Sequence, residues 1–144
     1  MIRRMKPEDI PAAAELERKY FSLPWSEKML EESLGKSDYL FLAAEKDGKI
    51  VGYAGMLRVL DEGDVTNIVV DASCRGCGIG SALTSALLEE GEKLGMNAFT
   101  LEVRVSNVAA IHIYEKNGFQ AEGIRPRFYE KPAEDALIMW KRKH

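Results

Sequence analysis

Between Asn67 and Leu94 the chain reads NIVVDASCRGCGIGSALTSALLEEGEKL: a β-branched run, three glycines at alternate positions (Gly76, Gly78 and Gly80), then leucines at helical spacing. A strand that turns this tightly into a helix narrows the architecture to layered α/β arrangements. The turn also has a chemistry. Glycines leave backbone N–H groups uncovered by side chains, and the helix N-terminus directly after them adds the positive end of its dipole, so the turn suits a phosphate group. No Gly-Lys-Ser/Thr ending follows, which argues against a nucleotide-triphosphate loop. A dinucleotide fingerprint needs Gly or Ala at position 81, where Ser81 stands; Glu102, which could imitate that fold's ribose-binding acid, falls inside a strand pattern and not at its end. By itself the motif is also compatible with a bare strand-to-helix connection, although one or two glycines would serve for that.

The rest of the chain alternates strand and helix patterns, without repeats, low-complexity tracts or a linker, over one domain spanning residues 1–144. MIRRM reads as a short strand. Ile10, Ala14, Leu16 and Tyr20 mark a helix that begins near Pro7, and Ser26 is placed to cap a second, with Met29, Leu30 and Leu34 on one face. Asp47-Gly48 between two apolar runs predicts a hairpin. DVTNIVVD is the next strand, and Ser81 to Leu94 a helix stopped by Gly95. In AFTLEVRV, Leu101, Val103 and Val105 alternate with Thr100, Glu102 and Arg104, a strand with one polar face. NVAAIHIYEKNG is a short helix closed by Asn117-Gly118, and DALIMWK a last strand. The expected fold class is α/β (α+β): a mixed central sheet of about six to seven strands with helices on both faces.

Composition removes several functions. A net charge of −3 gives no general reason for nucleic-acid binding, and the basic KRKH end reads as a solvated tail. No apolar run reaches the ~20 residues of a membrane span, and the start lacks the apolar core of a signal peptide, so a cytoplasmic location is expected. Cys74 and Cys77 have C-x-x-C spacing, but no second Cys/His pair stands at ligand spacing; they are read as small fillers of the turn, with no metal expected.

RGCGIGSALTSALLEE, with TNIVVD before it and SNVAAIHIYEKNGF after it, resembles the acetyl-CoA-binding core of the GNAT superfamily of N-acetyltransferases. Arg75, Gly78 and Gly80 match the first block of its pattern, and Asn107, Tyr114, Glu115, Gly118 and Phe119 the second. FSLPWSE, LEVRVSN and EDALIM extend the resemblance to the branch that acetylates the N-terminal alanine of a small-subunit ribosomal protein. Two departures stand out. Asp71-Ala72 and Cys74 replace the usual Asp-Pro and aromatic residue, and the segment from Phe128 to Glu134 is short for that branch.

The resemblance implies a splayed slot that takes acetyl-CoA. Its pyrophosphate would lie on the backbone from Arg75 through Gly76, Cys77, Gly78, Ile79 and Gly80 to Ser81, its pantetheine arm along Ile68, Val69 and Val70, with Asn107 as a further contact. A family-like bulge would aim the Val70 N–H at the thioester carbonyl. Glu102 would be the general base and Tyr114 the general acid at the sulfur, Asn107 and Tyr114 being seven residues, or two helical turns, apart. Trp25, Tyr129, Glu134 and Asp135 are the candidates for the acceptor groove. From the residues alone, Glu102 reads equally as a half-exposed carboxylate paired with Arg104 or a neighbour, Tyr114 as a core residue, and Trp25 as an anchor between two helices. His112 points to another side of its helix from Tyr114 and is left out. The expected partner is a protein or peptide with a free N-terminus, with lysine side chains or small amines as other acceptors and a non-catalytic acyl-CoA-binding module as the remaining reading. Neither nucleic acid nor membrane is an expected partner, and the chain is expected as a monomer or weak dimer.

Overall fold

A computed structural model describes residues 1–142 and orders them as β1 (Ile2–Arg4), α1 (Ile10–Tyr20), α2 (Glu27–Leu34), β2 (Tyr39–Lys46), β3 (Lys49–Val59), β4 (Glu62–Val70), α3 (Ile79–Lys93), β5 (Ala98–Arg104), α4 (Val108–Lys116), β6 (Gln120–Tyr129) and β7 (Glu134–Arg142). The final residues of the KRKH end, Lys143 and His144, lie outside the described residues. Local chemistry accounts for most boundaries. The Ser26 hydroxyl accepts the Met29 N–H at 3.1 Å, as its capping position predicts. Asp47 and Gly48 both take positive φ, the conformation of a two-residue hairpin turn between β2 and β3. Gly95 ends α3 in the left-handed region.

One seven-stranded sheet runs β1-β2-β3-β4-β5-β7-β6, and β4·β5 is its parallel contact in an otherwise antiparallel set. Apolar side chains of α3 and α4 (Leu83, Leu87, Leu88 and Tyr114) cover one face against Met56, Phe99, Leu101 and Met139. On the other face α1 and α2 bring Ile10, Ala13, Ala14, Leu16 and Leu30 against Phe41, Tyr53 and Val69. This second core covers β1 to β4 and leaves the same face of β5, β7 and β6 free for polar residues. No helix among the described residues is long and apolar enough to cross a membrane.

The sequence reading contains no strand between Gly118 and Asp135, where the structure has β6. The omission has a cause: β6 is an edge strand exposed along nearly its whole length, carries Gly123 and Pro126, and breaks register with β7 twice. It therefore has no buried face to impose an alternating pattern. The bulge also lies elsewhere than expected. Gly55 faces Asn67 while Met56 faces Val65, so Thr66 is the extra residue in β4, four positions before Val70.

Gly55 is required by close approach. A Cβ there would sit 2.5 Å from the Phe41 ring and 3.0 Å from Asn67 Oδ1, and the Phe41 ring is itself stacked on Tyr39 at 5.6 Å. Gly55→Ala is expected to lower stability by about 1–3 kcal/mol, the usual cost of overpacking a filled site; the shift in urea midpoint measures it, and an unchanged midpoint would mean that the sheet yields there.

Candidate active site

Strands β4 and β5 pair only through Glu62–Ala98, Gly63–Phe99 and Asp64–Thr100, and then part. Beyond that point β4 keeps β3 as its neighbour on the other side. The Asp71 N–H donates to the Val51 carbonyl at 2.7 Å, and the register sets Val70 opposite Gly52. Alternation in an antiparallel pair then directs the N–H and C=O of Val69 and Asn67 toward β3, and those of Ile68 and Val70 toward the gap left by β5. Backbone amides in such a slot need a partner. The Val70 carbonyl has one, the Arg75 Nε–H at 3.2 Å. The free amides beside the slot fit the amide-bearing arm of the expected cofactor. Since the bulge falls at Thr66, no bulge singles out Val70.

The slot opens at its end onto the glycine turn, in a cleft of about 470 Å³ lined by Ile68, Val69, Val70, Arg75, Gly76, Gly78, Ile79, Gly80, Ser81 and Asn107 among others. The three glycines have different duties. Gly76 and Gly78 hold positive φ with open space around the missing Cβ, so backbone conformation requires them. Gly80 has ordinary φ and lets α3 approach its neighbours: a Cβ there would meet Ile113 at 3.3 Å and Val70 at 3.7 Å. With the first intrahelical bond running from the Ala82 N–H to the Gly78 carbonyl, the earlier N–H groups of α3 have no intrahelical acceptor. Cys77 is exposed and does not line the cleft, whereas Cys74 is buried and does; both are free thiols.

A clasp that sequence reading missed holds this turn. Tyr20 on α1 donates its hydroxyl to Asp71 Oδ1 at 2.7 Å and accepts the Ala72 N–H at 2.7 Å, while its ring lies 4.6 Å beneath the Arg75 guanidinium. Lys19 adds an ion pair to Asp71 at 3.1 Å. The Ser73 hydroxyl, Tyr20 and Lys19 together hold the Asp71 carboxyl well below the ordinary carboxylate range. Tyr20 was legible only as one of several apolar positions of a helix, and its partner is 51 residues away.

Through five shared residues, Tyr20, Phe21, Ile68, Asn107 and Tyr114, the cleft continues into a second cavity of about 640 Å³. Glu102 and Tyr114 both line it. Glu102 is one-quarter exposed and pairs with Arg125 of β6 at 3.2 Å, not with Arg104. Asp64 stands close by, and burial together with the Glu102 charge raises its carboxyl. Burial, and secondarily Tyr129, pushes the Tyr114 phenol up to about 12; its ring sits edge-on to Phe119 at 6.0 Å. Burial and then Glu102 push Tyr129 up to about 12 as well. Asn107 faces the same junction, but its side-chain oxygen already accepts the Ala110 N–H at 3.2 Å as the cap of α4. His112 is exposed and lines neither space.

Two walls enclose this cavity, the α1–α2 loop (Phe21, Ser22, Leu23, Trp25) and the β6–β7 end (Phe128 to Pro132). Trp25 serves as anchor and wall at once, packed edge-on against Tyr39 at 6.3 Å and Phe41 at 6.4 Å. Tyr129 lines the cavity with Arg104 stacked 4.5 Å from its ring. Glu134 and Asp135 lie outside the lining. Glu134 accepts the Ser106 N–H at 2.7 Å and pairs with Arg104 at 3.2 Å, which lowers its carboxyl below the usual range; Asp135 accepts the Arg127 N–H at 2.9 Å. Both carboxylates are thus committed to holding strand ends.

Known proteins share this arrangement. Residues 10–119 match the Acetyltransferase (GNAT) family. The [ribosomal protein bS18]-alanine N-acetyltransferase of Escherichia coli K12 is 39% identical over 140 residues, 96% of this chain and 94% of that protein. The crystal structure of the ribosomal-protein-S18-alanine N-acetyltransferase from Escherichia coli superposes with a TM-score of 0.90 at 38% identity, covering 99% of this chain and 92% of the other. Ard1 from Thermoplasma volcanium gives a TM-score of 0.90 at 25% identity over 100% and 97%. With a glycine turn at the helix start, a parted strand pair and these relatives, the chain belongs to the GNAT acetyltransferase family and is an acetyl-CoA-dependent N-acetyltransferase.

Proposed function

We propose that the enzyme transfers the acetyl group directly to the α-amine of a protein N-terminus, with the N-terminal alanine of ribosomal protein bS18 as its acceptor. One observation carries this reading: a carboxylate and a protonated phenol, Glu102 and Tyr114, line a single cavity continuous with the glycine-turn cleft. The names of the E. coli relatives, which match nearly end to end, support the acceptor.

Bound acetyl-CoA supplies an acyl group activated as a thioester. In this reading the N–H groups of Gly76 to Ser81 and the Arg75 side chain receive its pyrophosphate, and the Ile68 and Val70 amides align its arm. An N–H of the parted β4 edge would be the donor available to the thioester carbonyl oxygen. An α-amine with a pKa near ~8 is mostly protonated at neutral pH, so Glu102, held in place by Arg125, would first take one proton to free the nitrogen lone pair; nitrogen would then attack the acetyl carbonyl, and as the C–S bond breaks the second N–H proton would pass by way of water to the departing thiolate, leaving amide and coenzyme A thiol. Tyr114 faces the departing sulfur. A thiol has a pKa near ~8.5, far below a phenol raised to about 12, and each unit of difference is about 1.4 kcal/mol. Complete proton transfer from Tyr114 to the thiolate is therefore uphill, and Tyr114 acts as a hydrogen-bond donor to it. Trp25 and Tyr129 border the first residue of the acceptor.

Mass spectrometry of an Ala-initiated bS18 peptide incubated with acetyl-CoA is expected to show one acetyl group on the α-amine; faster acetylation of internal-lysine peptides or polyamines would overturn the acceptor assignment. Glu102→Gln is expected to lower kcat by about 10²–10⁴-fold with the Kd for coenzyme A nearly unchanged, and full activity in that variant would remove Glu102 from the base role. Since the Tyr114 phenol is raised, it stays protonated as pH climbs, and its deprotonation would be felt only near its value of about 12. The kcat–pH profile should accordingly show no descending limb from Tyr114 below roughly pH 10; a descending limb near pH 9 that Tyr114→Phe abolishes would contradict this.

A further inference from the structure

Beneath the acceptor side of the cavity lies a titratable group with no part in the chemistry above. Glu17 on α1 is 1% exposed and also lines the cavity. Its carboxylate accepts the Trp25 N–H at 2.9 Å, the Asn67 side-chain N–H at 3.1 Å and the Tyr53 hydroxyl. Three groups able to donate surround it, and no cation is among them. Burial first and the Glu17 charge second push the Tyr53 phenol upward, which keeps that partner a donor. No Lys or Arg among the described residues pairs with Glu17. A buried charge without a counter-charge is costly and unusual.

Its neighbours point the same way. Thr66 Oγ1 and Asn67 Oδ1, on the β4 bulge, are buried and find no hydrogen-bond partner, and both residues line the cavity. The other charges of the lining are engaged or outward: Glu102 is paired with Arg125, Arg104 with Glu134, and Glu130 and Lys131 are exposed. This floor is rich in electron pairs, and its buried carboxyl has no cationic partner among the described residues.

We infer that Glu17 is a specificity-determining residue that recruits the acceptor as its cationic α-ammonium, before Glu102 removes the proton. The inference rests on the amine-acetylating reading above. Glu17 acts through its charge across the cavity, and through Trp25 and Asn67 it also fixes one wall and the bulge.

The test compares two peptides on the coenzyme A-bound enzyme: one beginning with Ala, and the same peptide with a propionyl group in place of that Ala, which keeps the shape and lacks the ammonium. Wild-type enzyme is expected to bind the alanyl peptide more tightly. Glu17→Gln should weaken the alanyl peptide on the order of tenfold, what a unit charge exerts across ~12 Å at an effective dielectric of ~20, and leave the propionyl peptide unchanged. Tyr53→Phe, which disturbs the network and keeps the charge, should preserve the preference. Equal weakening of both peptides by Glu17→Gln, no weakening, or an equal loss of preference in Tyr53→Phe overturns the inference. Should Glu17→Gln fail to fold, Glu17→Met combined with Tyr53→Phe removes the charge together with its phenol partner and gives the same comparison. Acetylation of the alanyl peptide by wild type separates the two claims: its absence overturns the amine-acetylating reading and the inference with it, whereas acetylation with an unchanged preference in Glu17→Gln overturns the inference alone.

Discussion

The rest of the molecule depends on two parallel strands pairing for three residues and then parting. A continuous sheet would satisfy the Ile68 and Val70 amides internally and leave no opening between the glycine turn and the polar face. Parting leaves those backbone groups without a sheet partner and open to a ligand that carries its own amides. The bulge at Thr66 lies just beyond the last paired residue, Asp64, where an extra residue bends and twists β4 away from a flat ladder. The same bend carries Asn67 over the buried Glu17, so the shape of the slot and the polarity of the cavity floor have one origin.

The two faces of the sheet are built for different tasks. On the α3 and α4 side, Leu83, Leu87, Phe99, Leu101 and Met139 form an apolar core that fixes the helix start against the strand ends. On the other side, α1 and α2 cover only half of the sheet, and the remaining strands show charge. Arg125 reaches Glu102 from β6 across β7, passing the small side chain of Ala136, which faces Arg125 on one side and Arg104 on the other.

Environment also separates Glu102 from Tyr114. Tyr114 is buried against Phe119, and its phenol is pushed toward the neutral form that donates. Glu102 remains one-quarter exposed beside a guanidinium, surroundings in which a carboxylate can hold charge and pass a proton on to water. Different surroundings thus let one cavity hold an acceptor and a donor of hydrogen.

Much of this was legible in the chain itself. Glycine and proline positions, the Ser26 cap, the Asp47-Gly48 hairpin and the alternation in residues 98–104 mark local conformations, because φ preferences and side-chain periodicity act within a few residues. The glycine turn and its helix followed from the same local rules, and the family from the resemblance of the blocks around them. Contacts between distant residues were not legible. The Tyr20–Asp71 clasp, the Arg125 partner of Glu102, the confinement of Glu134 and Asp135 to strand ends, and the burial of Glu17 each join segments that no spacing rule connects. Edge strand β6 escaped because a strand without a buried face has no pattern to display. The sequence by itself determined where backbone can turn, cap and alternate; only the tertiary structure decided which charges meet, because that depends on strand order and on how far β4 and β5 diverge.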